Sequence, residues 1–187
     1  GDNDNWRYPR NFGDLVLQDV PDTQAPSAPT NLSVANLAQS SLTLNWTAST
    51  DNIAVTGYDV YRNGVKINTA PVTATTFNVT GLSAATAYQF YVNARDAAGN
   101  TSSNSNTVNV TTPDTQAPTA PSGLTASNIA QSSLTLTWSA ATDNVAVTGY
   151  DVYQNGVKIN AGPVPLTTFN VTGLTASTAY QFYITAG

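Results

Sequence analysis

The chain has 187 residues, eleven acidic side chains against six basic ones, and a charged fraction of only 9%. Without His or Cys it has no thiol nucleophile, Ser-His triad, imidazole–thiolate zinc site or disulfide, which leaves Asp-based acid chemistry and oxygen-ligand metal binding. A net charge of −5 with scattered cations argues against nucleic acid as a partner, and no run approaches the length of a membrane span.

Residues 1–21 (GDNDNWRYPRNFGDLVLQDVP) are rich in apolar side chains for a free linker, with Trp6, Tyr8, Phe12, Leu15, Val16, Leu17 and Val20. They are expected to be the end of an upstream domain, Gly1 being a processed or trimmed start. Asp2-Asn3-Asp4-Asn5 reads as a solvated acidic turn, because the distal Glu of a complete Ca²⁺ loop is missing.

From Leu42 to Thr47 apolar and polar residues alternate strictly, which predicts a half-buried strand with Leu42, Leu44 and Trp46 inward. Tyr58-Asp59-Val60-Tyr61 keeps the same period. Asn63-Gly64 then offers a two-residue hairpin turn, and Val65–Asn68 returns. Phe77 and Val79 mark a further strand before Gly81. Tyr88, Phe90, Val92 and Ala94 form a long inward row, and Val108 and Val110 follow in a last strand. No segment has a helical period.

After Thr112-Pro113-Asp114, a proline-stiffened join, the pattern returns. DTQAPSAPTNLSVANLAQSSLTLNWTASTDNIAVTGYDVYRNGVKIN begins at Asp22, and DTQAPTAPSGLTASNIAQSSLTLTWSAATDNVAVTGYDVYQNGVKIN begins at Asp114. Trp46 recurs as Trp138, Tyr58 as Tyr150, Gly81 as Gly173 and Tyr88 as Tyr180, with no insertion or deletion between the copies. A repeat of that length is a whole domain. The expected division is 1–21 as upstream or donor segment, 22–113 as module one and 114–187 as module two. Module two stops at Ala186-Gly187, before a counterpart of the last strand of module one, so its Phe182 strand is expected to lack a neighbour. A cropped sequence, a strand donated by another chain with Asp14–Val20 as donor, and a module that is only partly folded are the competing accounts.

About seven short strands per module, separated by turn signals, predict an all-β fold of two antiparallel sandwiches in tandem. Each module resembles a fibronectin type III domain. The matching residues are Pro26, Pro29, Trp46, Tyr58, Val60, Gly81, Leu82 and Tyr88, followed by Asp96–Asn100 as the loop before the last strand; Pro118, Pro121, Trp138, Tyr150, Val152, Gly173, Leu174 and Tyr180 repeat them. The resemblance implies that Tyr88 and Tyr180 are tyrosine corners. It also implies that Trp46, Tyr58, Trp138 and Tyr150 belong to the structural core with them. DTQAP-x-AP, TDN-x-AVTGYDVY-x-NG and RDAAGN further resemble modules attached to secreted bacterial enzymes that act on polysaccharides. That likeness implies non-catalytic spacers, extracellular or at the cell surface, whose partners are neighbouring domains of the same chain. The alternatives are a fibre or adhesin subunit joined to identical subunits, and an accessory module that binds polysaccharide.

Two sets of residues invite a functional reading. Asp22, Asp51, Asn52 and Asp96 fall at one pole of module one if the sandwich topology holds, with Asp114, Asp143 and Asn144 as counterparts. Such oxygens suit Ca²⁺, although Asp and Asn equally cap their own backbone in tight turns; no cofactor is required by either reading. Tyr61 and Tyr91, repeated as Tyr153 and Tyr183, point to the outer face of adjacent strands. They form either a sugar-stacking strip or a cross-strand pair that stabilises the sheet. There is no Arg-Gly-Asp sequence, and the Asn-x-Thr triplets at Asn45, Asn78 and Asn170 fall on strand positions that make poor glycan acceptors.

Overall fold

A computed structural model describes residues 20–187. Residues 1–19 of the upstream segment, with the Asp2–Asn5 turn and all of the donor segment but Val20, lie outside the described residues; Val20 is exposed. The described residues form strands and no helix, and therefore contain no helix long and apolar enough to cross a membrane.

Module one holds seven strands: β1 (Thr30–Ala35), β2 (Ser41–Thr47), β3 (Val55–Arg62), β4 (Val65–Lys66), β5 (Thr76–Thr80), β6 (Ala87–Asp96) and β7 (Val108–Thr111). They make two antiparallel sheets, ordered β1-β2-β5 and β4-β3-β6-β7. The alternation seen in the sequence sets the facing. Leu42, Leu44 and Trp46 of one sheet share a core with Tyr58, Val60, Phe90, Val92 and Ala94 of the other. Full burial of a Val, Leu or Phe side chain contributes about 1.5–3 kcal/mol, so this period-2 pattern carries much of the module's stability.

Three glycines are dictated by geometry. Between β3 and β4, Asn63 (φ 50°) and Gly64 (φ 81°) are both left-handed, as a tight hairpin whose twist matches its strands requires. At Gly57 a β-carbon would sit 2.7 Å from Cβ of Pro71, where the chain crosses β3 to make the Tyr58–Val72 bridge. Gly149 meets Pro163 in the same way at 2.6 Å.

Module two repeats the plan with β8 (Ser122–Ser127), β9 (Ser133–Ser139), β10 (Tyr150–Gln154), β11 (Val157–Lys158), β12 (Thr168–Thr172) and β13 (Phe182–Ala186). Its sheets are ordered β12-β9-β8 and β11-β10-β13. One edge of β13 pairs with β10; among the described residues no strand pairs the other. Phe182, Ile184 and Ala186 are partly buried, whereas their counterparts Phe90, Val92 and Ala94 are fully enclosed.

Candidate functional site

Three segments converge at one pole of module one: the chain leading to β1, the β2–β3 loop and the β6–β7 loop. Asp22, Asp51 and Asp96 each place a carboxylate oxygen within 4.8 Å of the others. Backbone and amide donors hold them there. Asp22 Oδ1 accepts from the Gln24 N–H at 3.0 Å and from Asn52 Nδ2 at 3.2 Å. Asp51 Oδ2 accepts from the N–H groups of Ile53 and Ala54, both at 3.1 Å. Asp96, only 5% exposed, receives the N–H groups of Gly99 and Asn100 on Oδ1 at 2.8 Å and Asn100 Nδ2 on Oδ2 at 2.6 Å. Burial pushes the Asp96 carboxyl up. The Asn100 amide and the backbone N–H groups of Asn100, Gly99 and Ala98 outweigh that effect and hold it below the ordinary carboxylate range. Of the ion pairs among the described residues, none involves these three aspartates.

The equivalent pole of module two places Asn144 Nδ2 3.3 Å from Asp114 Oδ1, while Asp143 Oδ1 accepts from Val145 and Ala146 at 2.8 and 3.1 Å. No third carboxylate joins them among the described residues.

Tyr61 and Tyr91 stand directly opposite each other on β3 and β6, their rings stacked at 4.7 Å and 10°. Tyr153 and Tyr183 stack on β10 and β13 at 4.6 Å and 6°. Each ring spends one face on its partner. Beside the first pair, Asp59 is covered by Lys66 Nζ at 2.8 Å and Arg95 Nη1 at 3.8 Å; in module two Lys158 contacts Asp151 at 2.8 Å.

The remaining aromatics bind the framework. Trp46 meets Tyr58 edge-on at 5.3 Å, and the Tyr58 hydroxyl accepts the Ser49 N–H at 3.0 Å. Trp138 and Tyr150 do the same with Ala141. Tyr88 and Tyr180 are half-buried, and their hydroxyls accept N–H groups five residues upstream, from Ser83 at 2.9 Å and Thr175 at 2.8 Å.

Sequence reasoning passed over three residues. Asn68, 8% exposed, accepts the Val60 N–H on Oδ1 at 2.7 Å. It donates to the carbonyls of Tyr58 and Ala70 at 3.1 and 2.8 Å. Asn160 repeats this with Val152, Tyr150 and Gly162. The available signal was the survival of Asn68 as Asn160 at the head of a loop in which Thr69, Ala70, Thr73 and Ala74 all change between the copies. Gln39, between β1 and β2, accepts both the N–H and the hydroxyl of Thr115 on its Oε1, at 3.2 and 2.7 Å.

A family model described as "Fibronectin type III domain" matches residues 27–111 and 119–187. Chitinase A1 of Niallia circulans is 51% identical over 170 residues, covering 88% of this chain and 24% of that protein. Exoglucanase B of Cellulomonas fimi is 45% identical over 186 residues, covering 96% of this chain and 16% of that enzyme. An alpha-amylase of Niallia circulans is 52% identical over 94 residues, half of this chain. The chain thus spans a quarter or less of the length of these curated relatives.

Proposed function

We propose, since this chain belongs to the fibronectin type III family, that its two modules are non-catalytic spacers of a larger secreted bacterial enzyme acting on a polysaccharide. The observation that carries this reading is the pattern of likeness. Two modules in series align over nearly the whole chain with a small share of a chitinase and an exoglucanase, and half of the chain aligns with an alpha-amylase. A feature shared by enzymes of differing substrate is best explained by something other than the substrate's chemistry.

The physical task of such a spacer is to hold a neighbouring domain at a set distance with little slack. Stiff sandwiches joined through Pro113, Pro118 and Pro121 suit that task better than a Gly/Ser coil, whose ends wander. On an insoluble polymer, a fixed span raises the effective concentration of one domain near the surface held by another.

The test is to replace residues 22–187 in the complete parent enzyme with a flexible Gly/Ser segment of equal length. Activity on a soluble oligosaccharide is expected to stay unchanged, while turnover of the insoluble polymer falls several-fold. Equal loss on both substrates would overturn the reading, as would hydrolysis by the isolated 187-residue chain.

A further inference from the structure

We propose that Asn63 and Asn155 are modification sites, at which the folded chain deamidates through a succinimide and comes to carry isoaspartate. They precede Gly64 and Gly156 in the two Asn-Gly pairs of the chain. Each pair is exposed at the tip of a hairpin. The dipeptide alone would be a property of the sequence. The fold adds three features, and both copies have all of them.

The first concerns the carbon that is attacked. Asn63 Oδ1 accepts the Gln89 N–H, and Asn155 Oδ1 the Gln181 N–H, both at 2.8 Å. A donor on that oxygen polarises Cγ and stabilises the oxyanion that forms when Cγ is attacked, as in an acyl-transfer site. The second is the leaving group. Among the described residues, Nδ2 of Asn63 and Nδ2 of Asn155 donate to no acceptor, their side-chain bonds being those on Oδ1. Other loop amides are spent: Nδ2 of Asn52 and Asn144 on Asp22 and Asp114, of Asn68 and Asn160 on carbonyls, of Asn100 on Asp96. The third is the nucleophile. A Cβ added at Gly64 or Gly156 would meet nothing within 4 Å, so the glycine nitrogen is unscreened.

In the step itself, the Gly64 nitrogen loses its proton and bonds to Cγ of Asn63. The Cγ–Nδ2 bond breaks and ammonia leaves with that proton, closing a five-membered ring. Water then opens the ring at either carbonyl, which gives aspartate or isoaspartate with no change of oxidation state. The left-handed turn must loosen for the nitrogen to reach Cγ. Little resists this, because β4 has two exposed residues and pairs with β3 only at Tyr61–Lys66 and Arg62–Val65. Isoaspartate adds a carbon to the backbone of a two-residue turn. It would shift that register and draw Lys66 from Asp59, now 2.8 Å away.

The 187-residue chain would be held in warm, mildly alkaline buffer, one sample folded and one unfolded in guanidinium chloride, and its peptides mapped by mass over time. A gain of about one dalton is expected at Asn63 and Asn155 before any other Asn, with isoaspartyl methyltransferase labelling the same two peptides. Folding should slow the two sites by no more than about a hundredfold, the cost of opening a two-residue ladder. Asn63→Asp/Asn155→Asp lacks both leaving amides but keeps an acceptor for the Gln89 and Gln181 N–H groups, so its ammonia release should fall to background. Earlier conversion at another Asn of the folded chain would overturn the proposal. So would undiminished ammonia from the double variant, or no conversion at either site over about a hundred half-lives of the unfolded chain.

Discussion

Asn68 shows how one side chain replaces a missing strand. After Lys66 the β3–β4 ladder stops, and β3 would leave the Val60 N–H without a cross-strand partner inside the protein and the Tyr58 carbonyl with the Val72 N–H alone. The Asn68 amide mimics a peptide group, accepting from one and donating to the other, and its third contact at Ala70 turns the chain toward the Tyr58–Val72 bridge. Asn68→Ala is expected to destabilise module one by about 2–3 kcal/mol, because buried backbone groups lose their partners. Urea unfolding followed by Trp fluorescence measures it. Asn68→Asp should not rescue, since a carboxylate there cannot donate and would face Asp59, now 3.3 Å from the amide nitrogen. This role was invisible in a chain so rich in Asn, where each Asn reads as another turn or surface residue. The need for it arises only once β4 is known to end after two residues.

The facing of strands was legible because a half-buried sheet writes its own period into the sequence. Leu42-Thr43-Leu44-Asn45-Trp46 and Tyr88-Gln89-Phe90-Tyr91-Val92 could be assigned to inner and outer faces before any coordinates. The same rule set Tyr61 and Tyr91 on the outside; what it could not give was register, and hence that the rings stack at 4.7 Å. Their near-parallel contact makes them a sheet-stabilising pair. A double-mutant cycle on Tyr61→Ala and Tyr91→Ala should return a coupling of about 0.5–1 kcal/mol, measured by denaturant unfolding. A Tyr61→Ala/Tyr153→Ala chain should sediment with insoluble polysaccharide no less than its parent; a marked loss would restore the sugar-stacking reading. Loops resisted in the opposite way to strands. That Asp22, Asp51 and Asp96 share a pole followed from the topology the repeat implied, but the donors that hold each carboxylate depend on atomic positions no pattern encodes.

At the scale of the whole molecule the modules matter less than the join between them. Thr112, 1% exposed, is part of module one: its N–H donates to the Thr86 carbonyl, and its hydroxyl oxygen receives the Thr86 N–H at 3.0 Å. Pro113 restricts the next step, and three residues after Thr112 the chain is caught again, when Thr115 gives both its N–H and its hydroxyl to Gln39. The join is therefore fastened to module one at two points, and the prolines stiffen the stretch beyond. A spacer requires this, because its rigidity is set by its weakest link. Gln39→Ala removes the second fastening and leaves the core untouched. Its cost to unfolding stability should be small, about 1 kcal/mol or less, as for an exposed hydrogen bond. The effect should appear instead in motion: ¹⁵N relaxation at Thr115 and Gln116 should report lower order parameters, while those of β2 and β6 stay unchanged. Unaltered relaxation at Thr115 would mean that the prolines alone hold the join. If the order parameters fall, the flexible-segment replacement in the parent enzyme has a milder counterpart in Gln39→Ala, which should lower turnover of the insoluble polymer in the same direction and by less.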